Sequence, residues 1–130
     1  NLLAAAPARL SRLGARGAPT LMTPHPGEAA RLLGTTPPAI QADRIGAARR
    51  LAALAGAHVA LKGAGTVIAH PDGRYAINTT GGPWLAQAGA GDRLTGMVLA
   101  RIGQGQPAAD ALEAAVWLHG CSTRDDTARP

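Results

Sequence analysis

The run HVALK, residues 58–62, limits the fold of this chain more than any other stretch. It is apolar and unbroken from Val59 to Leu61, the pattern of a buried parallel strand. It follows closely on residues 39–55, where Ile40, Ile45, Ala48, Leu51 and Leu54 recur at helical spacing and Gly56 supplies a stop. A helix leading into a buried strand argues for α/β layering.

The neighbouring segments extend that pattern. Residues 2–13 read as a helix, with Leu2, Leu3, Ala6, Leu10 and Leu13 on one face. APTLM reads as a short buried strand ending at Thr23, and TPHPGEAARLLG turns through Pro24 and Pro26 into a short helix stopped by Gly34. After the turn Gly63-Ala64-Gly65, TVIAH reads as a strand, and PDG marks a hairpin leading into RYAIN. Beyond the loop TTGGPWLAQAGAG, residues 92–102 and 108–119 read as two further helices. A β-hairpin set into an α/β layout is the narrower feature.

Composition decides what such a core is made of. Aromatic residues are 2% of the chain and Phe is absent, so Ala, Leu, Val and Ile must build the interior, which suits close helix–sheet packing. A length of 130 residues is one domain or part of one. The net charge of +5 invites a nucleic-acid partner, but of the 13 basic residues only Lys62 is a lysine and no basic run exceeds Arg49-Arg50. With no aromatic platform for stacking bases either, nucleic-acid binding is set aside. No apolar run approaches the ~20 residues of a membrane span, so no membrane partner is expected. The single cysteine, Cys121, cannot form an internal disulfide and has no metal-binding partner, which suits a reducing, cytoplasmic setting. The opening NLLAAAPARLSRLG has neither an initiator Met nor the build of a signal peptide, and reads as the interior of something longer.

Chemistry concentrates in three loops. In AQAGAGDRLTGM, residues 86–97, glycines precede an amphipathic helix whose free N–H groups and dipole suit a phosphate or a developing oxyanion. Asp92 lies in its first turn and reads either as a favoured helix-start residue or as a catalytic carboxylate. In LKGAGT, residues 61–66, a strand ends in Lys62 before a Gly-rich turn, at the strand end where α/β proteins bind ligands. Lys62 reads as a phosphate contact or as a solvated strand-end lysine, and the order of a P-loop is absent. In TPHPGE, residues 23–28, two prolines clamp His25 in a rigid loop at another strand end, the position of a binding contact. His25 has no second His or Cys nearby, so no protein-held metal is expected.

Together and in this order, TPHPGEAARL, KGAGTVI and NTTGGPWLAQAGAGDRLTG resemble the ribokinase-like NAD(P)H-hydrate dehydratases over residues 1–120, leaving 121–130 as a divergent or disordered tail. The resemblance implies a three-layer α/β ribokinase-like fold with a mostly parallel sheet and a β-hairpin, here incomplete, since the chain would cover about half of such a fold. It implies repair of the nicotinamide cofactor: dehydration of the (6S)-NAD(P)H hydrate, coupled to cleavage of ADP or ATP with Mg2+ carried by the phosphates. By carry-over, Asp92 is the catalytic base. Gly89, Ala90, Gly91 and Asp92 form the anion hole, and Lys62, Gly63, Ala64, Gly65, Thr66 and Gly91 hold the nucleotide. His25 and Asp92 contact the hydrate. Homo-oligomers and a fused epimerase domain upstream are further implied options. This chain departs from the family pattern at Gly82, Trp84, Ala88, Ala90 and Arg93; Ala90 lacks a hydroxyl for phosphate, and Arg93 adds a cation beside the anion site. A hydroxyethylthiazole-kinase type of enzyme with the same Gly-rich Asp loop, or a truncated nucleotide-binding fragment without activity, are the alternative readings.

Overall fold

The structure, a computed structural model, describes residues 19–80 and 90–128, with side chains described to Cys121 and from Gly91 onward after the gap. The helix expected at 2–13 lies outside the described residues, as do Gly82, Trp84, Ala88 and Gly89. The order of elements is β1 (Leu21–Met22), α1 (Pro26–Leu33), α2 (Pro37–Ala42), α3 (Arg44–Ala55), β2 (His58–Leu61), β3 (Val67–Ala69), β4 (Tyr75–Ile77), α4 (Ala90–Gly103) and α5 (Ala108–Ala128).

The described strands form one sheet in the order β1-β2-β3-β4. β1 and β2 are parallel, with Leu21 opposite His58 and Met22 opposite Val59. β2, β3 and β4 are joined antiparallel, with Leu61 opposite Val67 and Val67 opposite Ile77. Among the described strands the sheet is therefore mixed, one parallel pair continued by the expected hairpin. The hairpin turn closes through His70 N–H to the Arg74 carbonyl at 2.9 Å and Gly73 N–H to the His70 carbonyl at 3.1 Å.

Both faces of this sheet are covered, as the unbroken apolar run of β2 requires. Val59, Leu61, Val67 and Ala69 point to one side, where they pack with Ala29, Ile40, Ala48 and Leu51 of α1, α2 and α3. Ala60 and Ile68, alternating with them, point to the other side and meet Leu94, Val98, Leu112 and Val116 of α4 and α5. That is three layers built from small aliphatic side chains. Alanine at positions 47, 48, 52 and 55 is at most 1% exposed, so α3 can lie close on the sheet.

Two boundaries differ from the sequence reading. The helix expected at 39–55 is two helices, α2 and α3, meeting at Asp43 with φ −148° and ψ 73°. Asp43 ends one and caps the next, its carboxylate accepting from Gly46 N–H at 2.9 Å. Gly46 is what admits that carboxylate, because a Cβ there would overlap it. At the other end, α5 does not stop at His119 but runs to Ala128, taking in most of the stretch expected to be a tail. No described helix is long and apolar enough to cross a membrane.

Candidate functional site

Parallel pairing of β1 and β2 sends both chains off the sheet at the same end, and that is where the loops of interest gather. After β1, the Pro24 carbonyl accepts from Lys62 N–H at 2.9 Å, which ties the two strand exits together. β4 runs antiparallel to β3 and so also leaves at this end. Its exit is fastened: Asn78 N–H donates to the Thr66 carbonyl at 2.8 Å, and Thr80 Oγ1 donates to the Trp117 carbonyl of α5 at 3.0 Å. Gly120 of α5 allows this approach, since a Cβ there would lie 2.8 Å from the Thr80 backbone carbon.

His25 is the N-cap of α1. Its Nδ1 accepts from Glu28 N–H at 3.2 Å, while Glu28 Oε1 accepts from His25 N–H at 3.1 Å, a reciprocal capping box. Nδ1 must therefore carry a lone pair, which leaves the proton of the neutral ring on Nε2. Nε2 lies 3.3 Å from Glu28 Oε1, and the side chain is 59% exposed. Gly27 makes the ring position possible, because a Cβ there would come within 3.0 Å of His25 Cε1. HPGE thus has a structural logic of its own: Pro26 starts the helix, Gly27 clears the ring, and His25 and Glu28 close the cap.

The turn after β2 is shaped by its glycines. Gly63 has φ +149° and Gly65 φ +69°, conformations a side chain would resist. Thr66 is buried and its Oγ1 donates to the Gly63 carbonyl at 3.2 Å, closing the turn. Gly63 and Ala64 are exposed at its tip, and Lys62 is half-buried at its base. The Lys62 ammonium reaches α4: a Cβ built on Gly91 would sit 3.3 Å from Nζ. Position 91 thus has room for the lysine because it is glycine.

In α4, Leu94 and Val98 anchor the helix on the sheet and so hold its first turn against Lys62. Asp92 and Arg93 are exposed in that turn, and Thr95 Oγ1 donates to the Gly91 carbonyl at 3.1 Å. The structure thus brings Lys62, Gly63, Ala64, Gly65, Thr66, Gly91 and Asp92 to one end of the sheet. His25 emerges at that end on the neighbouring strand exit. Ala90 begins α4, and Gly89 lies outside the described residues. Among the described residues no group of three or more His, Cys, Asp or Glu stands together that could hold a metal ion.

Sequence reasoning missed Arg44, the first residue of α3, which donates to the carbonyls of Leu61 and Gly65 on either side of the Gly-rich turn. A signal was available: a cation in the first turn faces the positive end of the helix dipole, so it needs a partner elsewhere.

The family model described as NAD(P)H-hydrate dehydratase matches residues 3–130. An ADP-dependent (S)-NAD(P)H-hydrate dehydratase of Neisseria meningitidis is 49% identical over 109 residues, which is 83% of this chain and 37% of that protein. A bifunctional NAD(P)H-hydrate repair enzyme of Moorella thermoacetica is 50% identical over 111 residues, covering 85% of this chain and 21% of that enzyme. Among solved structures, an ADP/ATP-dependent NAD(P)H-hydrate dehydratase of Bacillus subtilis, co-crystallised with ATP and Mg2+, superposes with a TM-score of 0.76 at 42% identity over 79% of this chain and 37% of that one. A ribokinase-like superfamily protein of Enterococcus faecalis superposes at 0.73 with 26% identity, over 92% of this chain and 43% of that one. The chain therefore spans under half the length of these relatives.

Proposed function

The chain belongs to the NAD(P)H-hydrate dehydratase family, and from that premise we propose that the protein carrying it converts (6S)-NAD(P)H hydrate to NAD(P)H with cleavage of an ADP or ATP phosphoanhydride. The observation that carries the proposal is the meeting of Lys62 with Gly91, which joins the Gly-rich turn of β2 to the Gly-Asp start of α4. Phosphate chemistry needs those parts side by side: amide donors, a cation and a carboxylate that can take a proton.

In this reading the nucleotide lies along residues 62–66 and Gly91, with Lys62 neutralising charge on its phosphates. Asp92 accepts the proton of the hydrate's hydroxyl as that oxygen attacks the terminal phosphoryl group, and AMP leaves when the donor is ADP. Loss of phosphate from the phosphorylated carbon and of a proton from its neighbour then restores the ring double bond. The N–H groups of residues 89–92 stabilise charge on the transferring group. His25, capping α1 at the adjacent strand exit, offers its Nε2 edge to the hydrate. Mg2+ would be carried by the phosphates of the nucleotide. Cytoplasmic residence belongs to the same proposal.

The test follows recovery of NADH absorbance from the (6S) hydrate with ADP or ATP, using the full-length polypeptide. Recovery that is lost in Asp92→Asn supports the proposal. A stable phosphorylated alcohol accumulating without cofactor recovery would instead place the protein among the small-molecule kinases of this fold. An Asp92→Asn variant with normal turnover would remove Asp92 from the catalytic role.

A further inference from the structure

Arg44 stands at the first position of α3, yet its guanidinium serves the turn that follows β2. Nη2 donates to the Leu61 carbonyl at 3.3 Å and to the Gly65 carbonyl at 3.2 Å. Nη1 donates to Oε1 of Gln41, on α2, at 2.8 Å, which fixes the plane of the group. Leu61 and Gly65 flank residues 62–64, so one planar cation spans the mouth of the turn. Gly63 rests on it: a Cβ there would lie 2.6 Å from Nη1 and 2.9 Å from Nη2. Burial lowers the Arg44 pKa from its ordinary value, but a guanidinium keeps its charge in proteins.

Two consequences follow for a phosphate approaching the turn. The carbonyls of Leu61 and Gly65, whose partial negative charge would oppose it, are engaged by a cation. The turn's two ends are also drawn together on one nitrogen, since Nη2 bonds both carbonyls while Nη1 is held by Gln41. Lys62 is the residue inside that clamp, and its ammonium is the group that meets Gly91.

We infer that Arg44 is a positioning residue for the nucleotide turn: it fixes residues 62–65 in the shape that holds Lys62 against α4. The inference rests on the proposed dehydratase reading. A lysine at 44 keeps the charge but has no second nitrogen to hold Gln41 while the first serves the two carbonyls, so it loses the fixed plane of the group.

The experiment compares wild type with Arg44→Ala, Arg44→Lys and Gly63→Ala in the full-length polypeptide. ADP affinity is measured by titration calorimetry, KM for ADP and for the hydrate by cofactor recovery, and Tm by thermal melting. Loss of charge-assisted hydrogen bonds predicts ADP binding weaker by about tenfold or more in Arg44→Ala. KM for ADP should rise with it while KM for the hydrate stays within about twofold, on the same tenfold-per-1.4 kcal/mol scale. Arg44→Lys should fall between wild type and Arg44→Ala, and Gly63→Ala, which displaces the guanidinium without deleting it, should weaken ADP as well. Equal changes in both KM values alongside a lowered Tm would show a merely structural arginine and overturn the inference. So would unchanged ADP affinity in Arg44→Ala. A wild-type protein that binds neither ADP nor ATP would overturn the functional reading itself, and the assignment of Arg44 with it.

Discussion

The two ends of the sheet treat their polar side chains in opposite ways. At the exit of β1 and β2, His25 is 59% exposed, Asp92 is exposed in the first turn of α4, and glycines rather than side chains shape the backbone. At the other end, His58 opens β2 and His70 follows β3, and the polar groups close on one another. His58 Nδ1 lies 2.9 Å from His70 Nδ1, and His70 Nε2 lies 2.7 Å from Glu113 Oε1 of α5. The His70 side chain is only 2% exposed. Buried polar groups that hold a fold must satisfy each other, because an unpaired one costs about 1–3 kcal/mol. Groups that serve a ligand keep their capacity turned outward and rely on backbone and packing for position. The histidine relay is thus a staple between α5 and the β2–β3 hairpin, whereas the opposite end keeps its polar groups outward, as the proposed site requires.

The sharpest way to break that contrast is to change one residue at each end. Asp92→Asn should lower turnover by about 10²–10⁴-fold, the range for loss of a positioned general base, while Tm stays near wild type because the position is exposed. A large fall in Tm would show that Asp92 holds the fold and that the two ends are not so different. Gly120→Ala sits between the extremes. It forces a methyl group against Thr80, and overpacking of this kind costs about 1–3 kcal/mol. Because Thr80 anchors the exit of β4 at the site end, stability and turnover should fall together, read by urea unfolding and by cofactor recovery. At the far end, Glu113→Ala removes the acceptor of a buried His70 N–H. The cost should be about 1 kcal/mol, at the low end of the range for a lost partner, since the Glu113 side chain is 42% exposed and water can replace it. Turnover per folded molecule should not change; a loss would couple the relay to the site.

What could be read from residues alone divides along the same line. The sheet was legible because burial on both faces leaves a local trace, the unbroken Val59-Ala60-Leu61, and the hairpin because its turn residues are contiguous. The site loops were legible as motifs, since each lies within a few residues of a strand exit or helix start. That His25 caps α1 through Glu28 could also have been read, as the spacing of a capping box with an unusual first residue. The helix break at Asp43 was hidden because the apolar repeat runs straight through it. The clamp of Arg44 joins residues 17 and 21 apart in the chain. The relay joins residues 12 and 43 apart. No local period records such contacts; the sheet's pairing creates them.

The smallest effect tests the relay through pH. Two Nδ1 atoms at 2.9 Å need one proton between them; because His70 Nε2 donates to Glu113, the neutral pair has His58 Nδ1 donating to His70 Nδ1, and two imidazolium rings would face proton to proton. Burial holds the His58 pKa below its ordinary 6.5, with the charges of His70 and Arg74 adding to the shift and Asp72 opposing it. Arg74 is itself tied to Asp72, Nε to Oδ2 at 2.6 Å, so that opposition is weakened. The folded protein therefore binds the His58 proton less readily than the unfolded chain does. Stability from this group is complete above pH 6.5 and declines as pH falls from there through the lowered folded pKa, with a slope below one proton. Urea midpoints measured between about pH 5 and 8, the range in which histidine titrates, should show a decline in wild type that flattens in His58→Asn. If the two curves run parallel down to pH 5, the ring of His58 takes its proton without opposition, and the contact with His70 is not the closed pairing that sets this end of the sheet apart from the site.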